Sequence, residues 1–302
     1  MVRRSSFFFA FAISGGGVPS VASGAEGAAL PLYKVSEKCS DRRYPALAGP
    51  WVVGCGSDGR VDRVLSLDSG RFFMLPLSFD APALGPSVLY SPGISGGLIF
   101  LSESGPQEAA VTMVHGEVAA PAGVDSSRVV VLSEAHVQAF LFEETRRQLY
   151  EAHPAGWYPP ALAWPWVAWV DDASGDEDIL ALDLSQSHPQ VTVLAGGAGH
   201  QRHVVGHEHW LAWVEDTRIV LLDTRTNTQE ETLVTTGFSS GPTLYRGILC
   251  WEEMRSDIDI QCSDGVSIAG AGHQRWPSRW GQWLIYREDN RVMLYTIAED
   301  VQ

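Results

Sequence analysis

Lysine is almost absent from this sequence: among 302 residues only Lys34 and Lys38 are lysines, and 21 basic residues stand against 36 acidic ones. The formal net charge of -15 repels nucleic acid phosphates and anionic lipid, so we expect neither as a partner. Runs of about 18 apolar residues are also missing, and no segment is expected to span a bilayer. The sequence contains no HExxH or Walker motif, and we expect no catalytic site.

Cysteine is scarce, with four residues and no CxxC spacing, which argues against a zinc or redox site. Cys250 and Cys262 flank a short polar turn between two strand-like runs, so a cross-strand disulfide is expected there. Cys39 with Cys55 then follows by elimination. Two disulfides are typical of an oxidising compartment.

The N-terminus has the order of a secretory signal peptide. Arg3 and Arg4 precede an apolar run from 7 to 13, and small residues follow up to a plausible cleavage site after Ala25. We therefore expect residues 1–25 to be a signal peptide, residues 26–302 to be the mature domain, and the protein to be periplasmic or secreted.

One pattern recurs along the mature region: an apolar run ending in aromatic and acidic residues, a turn, and a second apolar run ending in Asp. Examples are PALAWPWVAWVDDASGDEDILALDL at 160–184 and HEHWLAWVEDTRIVLLDTRT at 207–226. Consecutive copies lie from 31 residues (Leu98 to Val129) to 47 residues (Trp51 to Leu98) apart, which suits a four-stranded propeller blade. The anchors that begin the seven copies are Trp51, Leu98, Val129, Trp166, Trp210, Ile248 and Trp283.

The pattern predicts an all-β, seven-bladed β-propeller, with six blades as the alternative. The last copy stops after its third strand, near Arg291 to Ile297, whereas the stretch 30–38 belongs to no other copy. We expect an N-terminal strand to complete the last blade and close the ring, because open strand edges invite aggregation.

The segments VAWVDD and GDEDILALDL within 167–184, together with LCWEEMRSDIDIQCSDG at 249–265, resemble the TolB-like propeller repeat. The resemblance covers roughly residues 44–297 and is weak at 85–150. It implies a periplasmic or secreted propeller that serves as a protein-interaction platform. We expect the chain to lack the N-terminal α/β domain of TolB itself, so the resemblance implies no role in the Tol system.

The hexapeptide GAGHQR occurs at 197–202 and again at 270–275, each time placing His ten residues before an anchor Trp. Equivalent loops lead into the innermost strands of the fifth and seventh blades, and Arg43 falls in the same register as Arg202 and Arg275. These loops surround one mouth of the channel. The expected binding surface at that mouth comprises Arg43, His200, Arg202, His273, Arg275 and Trp276.

A purely structural role for these residues stays open. The arginines could pair with neighbouring acids, and the glycines could simply permit a crossing between blades.

A metal site stays open as well. Oligogalacturonate lyases, propeller enzymes that resemble this fold, hold a divalent metal with His and Gln in the channel. By that resemblance a metal set would comprise His200, Gln201, His203 and His273.

Two further groups of residues admit a structural or a functional interpretation. The acids of DDASGDED (Asp171, Asp172, Asp176, Glu177 and Asp178) have no EF-hand spacing, and we expect a solvated hairpin turn. Most tryptophans fall at repeat positions and are expected in the core. The irregular ones, which could stack on a sugar or hold a partner, are Trp157, Trp164, Trp276 and Trp280.

Together these features predict a monomeric, exported propeller that requires no cofactor and performs no chemistry. Its expected partner is an envelope or extracellular protein, with an anionic polymer or a saccharide as further possibilities. The enzymatic alternative is a metal-assisted polysaccharide (uronate) lyase or glycoside hydrolase with its site in the channel.

Overall fold

A computed structural model of the chain describes most of residues 158–297 and shorter stretches before them. The described ranges are 29–32, 46–55, 60–79, 83–84, 88–91, 97–102, 104, 106–108, 122–124, 128–133, 136–141, 147–151, 158–233, 241–254, 257–270, 272–289 and 291–297. The predicted signal peptide, Cys39, Arg43 and Trp157 lie outside these ranges.

The described residues form twenty-eight β-strands and no helix, which confirms the all-β class. They comprise β1 (Ala29–Pro31), β2 (Leu47–Ala48), β3 (Trp51–Cys55), β4 (Val61–Ser66), β5 (Phe72–Phe79), β6 (Ala83–Leu84), β7 (Val88–Ser91), β8 (Gly97–Phe100), β9 (Gln107–Glu108), β10 (Ala122–Val124), β11 (Arg128–Ser133), β12 (His136–Leu141), β13 (Arg147–Glu151) and β14 (Ala161–Ala163). The second half comprises β15 (Trp166–Asp171), β16 (Asp178–Asp183), β17 (Val191–Ala195), β18 (Gln201–His207), β19 (Trp210–Glu215), β20 (Arg218–Asp223), β21 (Thr228–Leu233), β22 (Thr243–Tyr245), β23 (Ile248–Met254), β24 (Ile258–Cys262), β25 (Ser267–Ile268), β26 (Gln274–Trp280), β27 (Trp283–Glu288) and β28 (Arg291–Thr296). A helix able to cross a membrane is accordingly not found within the described ranges.

Within the described ranges the strands build seven antiparallel, four-stranded sheets. The first six are β2–β5, β6–β9, β10–β13, β14–β17, β18–β21 and β22–β25, each in sequence order. The seventh contains β26, β27 and β28, and its fourth strand is β1, which pairs with β28 in the register Leu30 to Leu294.

The first strands of successive sheets lie against one another. Each of these strands contacts the next in the order β6, β10, β14, β18, β22 and β26, and β26 in turn contacts β2. The approach is close: a Cβ on Gly206 in β18 would lie 2.6 Å from the carbonyl oxygen of Leu162 in β14, so only glycine fits there. The first strands are therefore the inner strands of the described architecture.

Six of the seven sequence anchors begin or enter the second strand of a sheet, as the repeat pattern predicts. For the second copy the expectation is wrong by one strand: Leu98 lies in β8, the third strand, and the equivalent second strand is Val88–Ser91. The run GLIFLSE resembles an anchor strand because it is apolar and ends in an acid, whereas Val88–Ser91 carries neither tryptophan nor acid.

The core lies between neighbouring sheets. One cluster joins Ala168 and Ile179 of the fourth sheet to Leu211 and Trp213 of the fifth, and another joins the sixth sheet to the seventh. The anchor-strand tryptophans Trp51, Trp169, Trp213 and Trp251 are all buried, as expected of repeat positions. Burial of these aromatic side chains stabilises the sheets that they join.

The predicted disulfide between Cys250 and Cys262 is confirmed; the two residues face each other across β23 and β24. The proposed Cys39–Cys55 pair involves a residue outside the described ranges and stays a prediction.

Candidate functional site

The two GAGHQR segments occupy equivalent positions. Residues 197–202 connect β17 to β18, and residues 270–275, of which 271 is not described, connect β25 to β26. In an antiparallel sheet these connections lie at the same end as the turn between the second and third strands. We call this end the connection face; it carries Glu177, His200, Asp216, His273 and Asp289.

Each copy of GAGHQR closes onto a turn of its own sheet. The backbone N–H of His200 donates to the Asp216 carboxylate over 3.2 Å, and the N–H of Asp216 donates to the His200 carbonyl over 3.1 Å. In the seventh sheet the N–H of Asp289 donates to the His273 carbonyl over 3.2 Å. Both turns are tight, with Asp216 and Asp289 at positive φ.

Glycine is required where the connection passes over this turn. Gly199 has φ 139° and Gly272 has φ 137°, values that other residues rarely adopt. A Cβ there would lie 3.2 Å from the Asp216 carboxylate or 3.1 Å from that of Asp289. Backbone geometry thus accounts for the repeated glycines at 199 and 272, as a purely structural role of the repeat predicts.

The two histidines of the repeat lie beside acidic groups at these connections. The side chain of His200 is 70% exposed, and its Nδ1 lies 3.4 Å from a Glu177 carboxylate oxygen. His273 is also exposed and follows the same backbone course. The connection face is therefore electrically mixed, with Glu177, Asp216 and Asp289 beside the basic residues, rather than a plain basic ring. Arg43 lies outside the described residues.

Arg202 lies in a cluster with Tyr158 and His203 where the fourth and fifth sheets meet. The rings of Tyr158 and His203 meet edge to face, with centroids 4.9 Å apart. Burial lowers the pKa of His203 to about 4, and the positive charge of Arg202 acts in the same direction, so this imidazole is neutral. Burial also raises the pKa of Tyr158. The Nε of Arg202 is shielded from solvent and has no hydrogen-bond partner among the described residues.

Trp276 takes the position in β26 that His203 takes in β18, and both have positive φ at a β-bulge. The backbone N–H of Trp276 donates over 2.8 Å to the buried carboxylate of Glu252 in the sixth sheet. The guanidinium of Arg287 lies 5.0 Å from the centre of the Trp276 ring, a cation–π geometry. The connection face therefore presents a second pairing of arginine with an aromatic ring.

The proposed metal set does not fit a metal centre. The His200 side chain points to Glu177, Gln201 is buried at the start of β18, and the His203 ring packs on Tyr158. His273 lies in the seventh sheet, with β22 of the sixth between it and β18. Within the described ranges no three His, Cys, Asp or Glu side chains are gathered as metal ligands.

The acids of DDASGDED are used within their hairpin, as expected of a turn. Asp171 is buried, and it accepts hydrogen bonds from the Trp169 indole over 3.1 Å and from the N–H of Ala173. Asp178 accepts from the Ser174 hydroxyl and from the N–H of Gly197.

The other end of the sheets, which we call the opposite face, carries a pocket that the sequence did not indicate as a site. Its volume is about 580 Å³, and it lies between turns of the fourth and fifth sheets. We call it the opposite-face pocket, and its lining comprises Trp164, Pro165, Trp166, Glu208, His209, Thr224 and Arg225. Trp164 stands out in the sequence as irregular, but nothing there joins it to Thr224 and Arg225, which lie 60 residues downstream.

Trp280, which the sequence offers as a stacking ring, packs at the opposite face with His207 and Tyr245. The three ring centroids are 4.8 to 5.1 Å apart, and the rings come from the ends of β18, β22 and β26. The Nδ1 of His207 accepts a hydrogen bond from the N–H of Arg246, and burial lowers the pKa of His207. These contacts make Trp280 part of a packed cluster.

Solved structures of the same fold include lyases and a protein of a large assembly. A chain of a mitotic checkpoint complex has a TM-score of 0.63 at 13% identity and covers 97% of this chain and 100% of its own. A catalytically inactive virginiamycin B lyase from Staphylococcus aureus with quinupristin has 0.58 at 11% identity, covering 90% of this chain and 100% of its own. A streptogramin B lyase has 0.54 at 12% identity, covering 90% and 98%.

These likenesses show that the chain has the β-propeller fold. No protein-family model matches the sequence. No curated protein matches it either.

Proposed function

We propose that this protein is an exported, TolB-like, seven-bladed β-propeller that binds a partner at its connection face and does not catalyse a reaction. The contacts among the inner strands favour a ring of seven blades over six, and the pairing of β1 with β28 supplies the strand that would close it. The signal-like residues 1–25 and the Cys250–Cys262 disulfide support a periplasmic or secreted location.

One observation carries the binding role: Arg202 keeps a shielded, unpartnered N–H at the rim of the connection face, among the residues described. A buried donor without an acceptor costs about 1–3 kcal/mol, which would be recovered if the Arg202 side chain turned outward and met an acceptor on a partner. Arginine beside aromatic rings is also typical of residues that dominate the energy of protein interfaces. Tyr158 lies beside Arg202, and Trp276 with Arg287 adds a second such pair.

The mixed charge of this face favours a protein partner over a plain anionic polymer. Glu177, Asp216 and Asp289 would repel a polyanion and so offset its attraction to the arginines, whereas a protein surface can match both signs. The metal-assisted lyase alternative requires a ligand set that these side chains do not form. We therefore propose an envelope or extracellular protein as the partner and a monomeric propeller as the binding unit.

Site-specific photo-cross-linking in cells that naturally produce the protein tests this role. A photoreactive amino acid is placed at position 200 or 273 on the connection face, with position 68, an exposed turn residue of the opposite face, as control. We expect one discrete protein adduct from positions 200 and 273 and none from position 68. The double variant Arg202→Glu/Arg275→Glu should reduce that adduct about tenfold.

The matched control is Arg225→Glu/Arg246→Glu, which reverses two exposed arginines of the opposite face and should leave the adduct unchanged. Equal cross-linking from all three positions, or an adduct that survives the charge reversal at 202 and 275, would refute the connection face as the binding surface.

A further inference from the structure

The opposite-face pocket has an aromatic wall formed by two tryptophans on either side of Pro165. Trp164 is 37% exposed in the turn between β14 and β15, and Trp166 at the start of β15 is partly buried against the core of the fourth and fifth sheets. A large apolar ring that stays exposed in a concave site is a stacking surface. The volume of about 580 Å³ falls within the 300–1,000 Å³ usual for small-ligand sites.

The polar groups of the pocket carry charges that are already matched. Glu208 accepts a hydrogen bond from the Arg246 guanidinium over 2.9 Å, and Arg225 Nε lies 3.6 Å from the Asp223 carboxylate. The two pairs sum to zero charge, so the pocket offers no net attraction to an anion or a cation. Each carboxylate and guanidinium nevertheless keeps further acceptor or donor capacity for a ligand hydroxyl.

A histidine links the two turns that form the pocket. His209 Nε2 is shielded from solvent and has no hydrogen-bond partner within the described ranges; the nearest carboxylate oxygen, on Asp223, is 3.9 Å away. The His209 carbonyl accepts from the N–H and the hydroxyl of Thr224 over 2.9 and 2.8 Å, which fixes one turn against the other. The pocket walls are therefore held in place without a ligand, which limits the entropy lost on binding.

We infer that the opposite-face pocket is a binding site for a neutral saccharide. A pyranose ring has an apolar face that stacks on tryptophan and hydroxyl groups that pair with carboxylate and guanidinium groups, and this pocket presents all three. This site lies at the end of the sheets away from the connection face, so it does not depend on the proposed protein partner.

Saturation-transfer NMR on the full purified chain tests the inference. The probes are the neutral disaccharides cellobiose, maltose, lactose and N,N′-diacetylchitobiose, with galacturonate and glucosamine as charged counterparts. We expect at least one neutral disaccharide to bind and to outcompete both charged sugars. Trp164→Ala should weaken that binding about tenfold because it removes the stacking surface.

Arg225→Met provides a second, milder variant at a side chain that is mostly exposed, and it should weaken binding several-fold while the fold is retained. The matched control is Phe72→Ala, which removes an aromatic ring of similar exposure, 39%, outside the pocket. Failure of every neutral sugar to bind, preference for a charged sugar, or binding unaffected by Trp164→Ala and Arg225→Met would each overturn the inference. If Trp164→Ala fails to fold, Arg225→Met decides.

Discussion

A buried ion pair joins the seventh sheet to the sixth, and its two ends differ in their access to water. Arg279 of β26 places Nη2 at 2.6 Å from a carboxylate oxygen of Asp264, in the turn before β25. The Arg279 side chain is 5% exposed and that of Asp264 is 28% exposed. Arg279 also donates from Nε to the Gly281 carbonyl over 3.4 Å. The carboxylate can therefore be rehydrated if its partner is lost, whereas the guanidinium cannot.

This difference predicts an asymmetric response to substitution. Asp264→Asn leaves a charged guanidinium buried without its anion, and we expect it to lower the free energy of unfolding by about 3–4 kcal/mol. Arg279→Met replaces the guanidinium with an apolar chain and leaves Asp264 partly in water, so a loss of only about 1–2 kcal/mol is expected. Once the charge of Arg279 is gone, adding Asp264→Asn to Arg279→Met should cost almost nothing further.

Urea unfolding followed by fluorescence and circular dichroism measures these differences without the screening that guanidinium chloride would cause. The control is Arg218→Met, which breaks a surface pair with Glu215 and Glu231 and should cost less than about 1 kcal/mol. If Arg279→Met destabilised the protein as much as Asp264→Asn, the argument that the buried charge dominates would be wrong.

Two further predictions concern the connection face. Unfolding exposes His203, whose pKa then returns to 6.5 from about 4, so only the unfolded chain gains this proton as pH falls through that interval. Wild type should therefore lose up to about 3 kcal/mol between pH 6.5 and 4, and urea titrations at stepped pH should show a shallower loss for His203→Gln; identical profiles would contradict this. Gly199→Ala and Gly272→Ala should each cost about 1–3 kcal/mol by the same urea assay, because they share one strained, crowded position. Gly197→Ala, also at positive φ but with nothing within 4 Å, should cost less, and an equal cost would refute the crowding.

The repeat made most of the fold predictable from the sequence. Strong copies, such as those anchored at Trp166, Trp210 and Trp283, carry large apolar residues on the strand that packs between two sheets, so sequence and burial coincide. The prediction for the second sheet is wrong because Val88–Ser91 has neither a tryptophan nor a following acid, whereas the apolar run that contains β8 ends in an acid. The repeat pattern reflects the type of side chain rather than the order of the strands. Where the side chains depart from the pattern, the predicted position therefore shifts by one strand.

The opposite-face pocket could not be found from the sequence in the same way. Trp164 stands out there as a tryptophan two residues before an anchor, but Thr224 and Arg225 resemble any polar turn. Only the packing of the fourth sheet against the fifth brings these turns together, and the repeat describes each sheet singly. Sites that form between sheets are for this reason hidden from an argument based on one repeat unit.

The residues just after the repeated hexapeptide carry the difference between the two copies. Within GAGHQR, positive φ requires glycine, and the backbone of His200 and of His273 hydrogen-bonds to the turn of its own sheet, so both sheets share one backbone geometry. His203 and Trp276 follow at the same bulge and with the same backbone conformation, yet one ring meets Tyr158 and the other meets Arg287. This shared backbone geometry fixes where the side chains at positions 203 and 276 emerge but not which residues stand there. Selection for a partner can therefore act on these positions without disturbing the fold. Specificity at the connection face is therefore expected to lie in what the two copies do not share.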